Sequence, residues 1–203
     1  MQASVDTMSN VSNDAELAIR ATIPYVVMVT IKGVAPLLFH RWSCDDVESK
    51  SKAKKGSKEK KTDNVESYIY RNDQREICVP SEYLRMAIIK TAKFYQDPRS
   101  SRKQAEELFE AGIAGLTELC SLGKVEWDYL DRRRAGIGGR GITRTRPAFH
   151  TGWQVTIPIQ CLLPEYISPE FLNEIVQAAG RFTGLGDFRP TYGRFQVVKF
   201  EVI

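Results

Sequence analysis

Ile77-Cys-Val-Pro80-Ser81-Glu-Tyr-Leu84-Arg85-Met-Ala87-Ile88 changes its hydrophobic period within twelve residues. Before Pro80 the apolar, β-branched residues are contiguous, as in a buried strand. After it, Leu84, Ala87, Ile88, Thr91, Ala92 and Tyr95 recur at the three- and four-residue spacing of one helix face. Ser81 reads as the N-cap of that helix, its hydroxyl placed to accept a backbone N–H of the first turn. A strand running straight into a helix with one apolar face requires a sheet on which that face can rest.

The neighbouring segments supply the sheet. Upstream, Ser67-Tyr-Ile-Tyr-Arg71 and Glu76-Ile-Cys-Val79 flank the turn-like Asn72-Asp-Gln and predict a short hairpin. Further upstream, Tyr25-Val-Val-Met-Val-Thr-Ile-Lys32 alternates as a half-buried strand does. Downstream of the loop Gln96-Asp-Pro-Arg-Ser-Ser101, Lys103 to Leu119 predicts a second helix weakened by its glycines. Val125-Glu-Trp-Asp-Tyr-Leu-Asp131 and Trp153 to Leu163 predict strands, and Pro158 suggests an edge or a bulge in the latter. Ser168, Pro169 and Glu170 form an N-cap, an N1 proline and a first-turn acid ahead of Leu172, Ile175, Val176 and Ala179 at helical spacing. Arg194 to Ile203 reads as a closing strand. The order predicts an α+β fold, an RRM-like or ferredoxin-like antiparallel sheet with helices on one face and basic loop insertions. Residues 1–21 read as a flexible lead and 22–203 as one domain, interrupted by a Lys-rich insertion at 49–63 and an Arg/Gly-rich insertion at 132–147.

The 203 residues are 42% hydrophobic and carry a formal net charge of +4, too small an excess to argue for a polyanionic partner without local clustering. Cys44, Cys78, Cys120 and Cys161 form no close pair, which speaks against a zinc knuckle or a dense disulfide framework and for a reducing cytoplasm. The first residues lack the apolar run of a signal peptide, and no stretch is apolar for long enough to span a bilayer.

Charge concentrates in three places. Arg132, Arg133, Arg134, Arg140, Arg144 and Arg146 lie among Gly136, Gly138, Gly139 and Gly141 with no acid between them. Guanidinium forks match phosphate oxygens, and glycines admit close approach of the backbone, so this stretch is a candidate nucleic-acid surface. Its GxGxxG spacing is no dinucleotide site, because arginines precede it and no amphipathic helix follows. Gly184 to Phe195 combines Arg189 and Arg194 with Phe188 and Tyr192, types that neutralise phosphates and stack on bases. The lysine run, with Lys54 and Lys55 at its centre, reads as a solvated basic arm. His40 and His150 are the only histidines, so catalytic and metal constellations have few parts. Neither a metal nor a cofactor is expected, and no residue is assigned to catalysis.

Three motifs resemble the RAMP superfamily of CRISPR-associated proteins. Strand 25–32 followed by Gly33-Val-Ala-Pro-Leu-Leu38 is similar to the family's first strand and turn. Ile77 to Ile88 is similar to the entry into its first helix, with Glu82 and Tyr83 where small residues are usual. Gly184 to Phe195 is similar to its glycine-rich loop, with Asp187-Phe188-Arg189-Pro190 inserted. The resemblance implies an RRM-like fold and RNA binding as a repeating subunit, with the basic insertion acting as a thumb-like element. It also implies that an early-loop aspartate, here Asp45 or Asp46, would act in a subunit that cuts RNA. The expected function is sequence-tolerant binding of single-stranded RNA or DNA, RNA favoured, in a homo-oligomer or ribonucleoprotein. The alternatives are a ribonuclease using His40 with Asp45 or Asp46, and a decoy module that inserts into a RAMP-type assembly.

Overall fold

The computed structural model describes residues 23–52, 54, 64–137 and 140–203. The expected flexible lead at 1–21 lies outside them. Strand β1 (Tyr25–Gly33) and the two-residue β2 (Leu37–Leu38) lead into helix α1 (Cys44–Lys52), and a 3₁₀ turn at Val65–Tyr68 precedes β3 (Tyr70–Arg71) and β4 (Ile77–Pro80). Helix α2 (Ser81–Ala92), helix α3 (Glu106–Gly112), β5 (Ile113–Gly115) and β6 (Leu119–Ser121) follow. The chain ends with β7 (Tyr129–Ile137), β8 (Arg140–Phe149), β9 (Gln154–Cys161), α4 (Pro169–Phe182) and β10 (Phe195–Val202).

The main sheet has the order β10-β1-β9-β5, every pair antiparallel. With α2 between β1 and β5, and α4 between β9 and β10, this is the βαββαβ ferredoxin-like plan expected from the sequence. Period-two alternation sends Val27, Val29, Ile31, Ile157 and Ile159 to the helix side, where all are fully buried. They meet Leu84, Ala87 and Ile88 of α2 and Leu172, Ile175 and Val176 of α4 in one core. Ser168 caps α4 by accepting the Phe171 N–H at 3.2 Å. Where α4 crosses β10, a side chain at Gly180 would begin 2.2 Å from the Phe195 carbonyl oxygen, so only glycine permits that approach.

Several local expectations are corrected. Ser81 is the first residue of α2, not its cap: the capping position is Pro80, and the Ser81 N–H donates to the Glu118 carbonyl, continuing the pairing of β4 with β6. The predicted helix over 103–119 is confined to Glu106–Gly112. Beyond it Ile113 pairs with Cys161, because the edge of β9 offers backbone partners that a longer helix would leave unused. Ser67 and Tyr68 belong to the 3₁₀ turn, and only Tyr70 and Arg71 pair with β4. Within the expected Lys-rich insertion, 49–52 complete α1, Lys54 is exposed, and 53 and 55–63, including Lys55, lie outside the described residues. Pro158 sits inside the sheet, opposite Met28. Its carbonyl accepts the Leu116 N–H just past the end of short β5, so its missing N–H removes no ladder bond on the β1 side.

The largest correction concerns 125–147. The strand begins at Tyr129, four residues later than predicted, and continues through the arginines to Ile137. It pairs with β8 from Tyr129↔Ala148 to Ile137↔Arg140. The Arg/Gly-rich insertion is therefore a long β-ribbon, joined to β2 through Leu37↔Phe149 and Leu38↔Ala148. Alternating Ile, Thr and Arg residues suit extended backbone.

Candidate nucleic-acid interface

Because directly opposed residues point the same way, the ribbon divides its arginines by parity. Asp131 faces Arg146 and Arg133 faces Arg144 on one side; Arg132 with Thr145 and Arg134 with Thr143 lie on the other. The first side packs against the glycine-rich loop. Arg146 is 4% exposed and ion-paired with Asp187, and its guanidinium stands 4.6 Å over the Phe188 ring. Arg133 is ion-paired with Asp131 and stands 4.4 Å over Tyr192. Its hydrogen bonds to Asp131 raise its guanidinium pKa further above the ordinary value. Arg132 and Arg134 are exposed.

The loop from Gly184 to Arg194 is held by backbone bonds to the segment after β1. Asp187 N–H donates to Leu38, Gly193 N–H to Pro36, and Val34 N–H to Arg194. Gly193, at φ 72°, lies so close to Leu185 that a side chain would begin 1.7 Å from its carbonyl oxygen. This anchoring sets the turn Gly186–Pro190 alongside α2.

Between that turn and α2 runs a groove of two joined clefts. The larger, 510 Å³, is lined by Lys90, Lys93, Phe94, Phe182 and the turn; the smaller, 370 Å³, by His40, Tyr83, Met86 and the same turn. Lys90, Asp187 and Arg189 border both. Phe94 and Phe182 are 64% and 51% exposed and meet edge to face at 6.0 Å. Lys93 stands 4.9 Å over Phe94, and Arg181 5.5 Å over Phe182. The two acids in the groove are neutralised, Asp187 by Arg146 and Glu82 by Arg85 at 2.9 Å. Lys90, Lys93 and Arg189 form no ion pair with a described carboxylate. Burial pushes the Tyr83 hydroxyl well above its usual range, so it remains a neutral donor beside Arg189.

Of the sequence candidates, Arg189 and Phe188 reach this groove, while Tyr192 serves the ribbon contact. Arg194 is exposed next to β10, and the side chain of Arg140 lies outside those described. His40 enters the smaller cleft; Asp45 and Asp46 lie in α1, their side chains outside those described. Lys90, Lys93, Phe94 and Phe182 were not singled out by sequence. For the first three a signal was present: Tyr83, Met86 and Lys90 form a helical stripe flanking the buried face of α2, which Lys93 and Phe94 prolong past the end of the helix. Among the described residues no cluster of His, Cys, Asp and Glu could hold a metal, and no helix is long and apolar enough to cross a membrane. Among the described strand residues, the helix-free face of the main sheet carries Met28, Thr30, Lys32, Thr156, Gln160 and Lys199 and no aromatic ring. It lacks the stacking platform that RRM sheets use.

No family model and no curated protein matches the sequence. Among solved structures, a chain in the cryo-EM structure of the type III-B Cmr-beta complex bound to cognate target RNA superposes with a TM-score of 0.54 at 12% identity. The match covers 98% of the present chain and 68% of that one. The two chains share a fold. The present chain thus has the ferredoxin-like α+β fold expected from its sequence, shared with a chain of that complex, and its groove is formed by α2 and the glycine-rich loop.

Proposed function

We propose that this RAMP-like chain is a non-catalytic, sequence-tolerant binder of single-stranded RNA that works as a repeating subunit of a ribonucleoprotein. The observation carrying the proposal is the α2–loop groove, where Lys90, Lys93 and Arg189 lie beside the open rings of Phe94 and Phe182. Unpaired cations attract a phosphate backbone, and exposed rings stack on any base, a combination that is tolerant of sequence. The exposed ribbon arginines Arg132 and Arg134 offer a second cationic surface, consistent with a thumb-like role. The RNA-bound state of the structural neighbour points the same way.

Fluorescence anisotropy with labelled oligouridylate tests the proposal. Affinity should fall about tenfold or more between 50 and 200 mM salt, and Lys90→Glu combined with Arg189→Glu should abolish binding. A salt-independent isotherm, or a double variant that binds as wild type does, overturns it. A ribonuclease is the second reading, favoured by His40 lining the same groove as Lys90 and Arg189. Incubating labelled RNA with wild type and His40→Ala separates the two, since a binder leaves the RNA intact in both. A stable complex with RAMP-type subunits, free of nucleic acid, would indicate the decoy module instead.

A further inference from the structure

The groove does not stop at the end of α2. Its larger cleft shares Lys93 and Phe94 with a third cleft of 390 Å³, lined beyond the helix by Gln96, Ser101, Arg102 and Lys103. This third cleft belongs to a closed and well-braced loop. Gln96 and Gln104 bridge its ends, Asp97 N–H donates to the Lys103 carbonyl, and Ala105 N–H donates to Tyr95. The Gln96 amide donates to the carbonyls of Ser100 and Lys103 at 2.6 and 3.2 Å. Asp97, 2% exposed, accepts the Arg99 guanidinium at 2.7 Å and the Arg99 backbone N–H at 2.8 Å. The Arg99 side-chain hydrogen bonds hold the Asp97 carboxyl below the usual range, so the brace is intact at neutral pH. Arg99 is thereby taken up by the loop itself, whereas Arg102 and Lys103 remain exposed. Among the described residues the Lys103 ammonium is ion-paired with Glu107 alone, at 3.3 Å, with both side chains largely in solvent. Such a pair is weak and yields readily to a phosphate.

We propose that the 96–104 loop is the exit of the RNA path: a single strand filling the α2 groove passes over Phe94 and places phosphates on Arg102 and Lys103. This rests on the reading of the groove as a single-strand site and adds the length and course of its path along the protein. From Tyr83 to Lys93 the helix supplies about 15 Å of track. With the loop added, the footprint is about five nucleotides, at the small end of known single-strand site sizes.

The test is length-dependent binding by the full chain, measured by anisotropy with labelled oligouridylates of three and nine nucleotides. Arg102→Gln combined with Lys103→Gln should weaken the nonamer about tenfold, leave the trimer within about twofold, and reduce the nonamer's salt slope by about 1.4, the value for two lost phosphate contacts on a single strand. Equal loss on both lengths, or no loss on either, overturns the proposed exit. In wild-type protein, failure of both oligomers to bind overturns the groove reading itself. If Lys90→Glu with Arg189→Glu abolishes binding while the loop variant behaves as wild type, only the exit is overturned.

Discussion

Gly193 shows how a single residue can hold the site together. Its positive φ and its approach to Leu185 leave no room for a β-carbon, yet its N–H and carbonyl tie the loop to Pro36 and Leu185. Gly193→Ala should cost about 2–3 kcal/mol through backbone strain and lower the unfolding midpoint in a thermal melt; an unchanged midpoint would contradict the packing described. Arg146 acts at the same scale in electrostatic terms. Arg146→Met would strand Asp187 with only its bond from the Phe188 N–H. The cost should be about 2 kcal/mol, less than for a fully buried pair because Asp187 is 32% exposed. The sequence marked both residues, but as parts of a binding surface. It could not show that one guanidinium is enclosed by its own protein, because the acid that encloses it lies 41 positions away.

At the scale of the element, the β-ribbon separates two kinds of arginine that look alike in sequence. Arg133 and Arg146 face the glycine-rich loop and hold ribbon and loop together, while Arg132 and Arg134 face solvent. Arg132→Glu with Arg134→Glu should therefore leave stability within about 0.5 kcal/mol while weakening oligouridylate binding severalfold, and chemical denaturation beside anisotropy measures both. If the double variant unfolds earlier but binds normally, the roles of the two faces are reversed. The parity of the arginines was already written in the sequence; the register that gives parity its meaning was not. A run of arginines and glycines carries no strong period, and the partner strand and packed loop decide that it is extended. Helix α2 shows the converse. Its buried face was legible from apolar spacing, but its outward stripe became a groove wall only once the Gly186–Pro190 turn was set against it.

For the molecule as a whole, a ligand that binds the folded chain alone must stabilise it. Oligouridylate at one hundred times its dissociation constant should add about 2.7 kcal/mol and raise the melting midpoint by about 5–10 °C for a chain of this size. The shift should vanish in the Lys90→Glu, Arg189→Glu variant. A melt unchanged by RNA in wild type would mean that the cationic groove does not engage it. The ferredoxin-like plan was legible because strand alternation, helix periodicity and the Ser168 cap are local properties, each readable within a dozen residues. What only the tertiary structure decided is which charged and aromatic groups share a surface. Lys90, Phe182 and Arg189 come from α2, α4 and the loop, nearly a hundred positions apart at the extremes. Their juxtaposition follows from packing two helices on one sheet face and from glycines that let the loop approach them, and no local pattern encodes either.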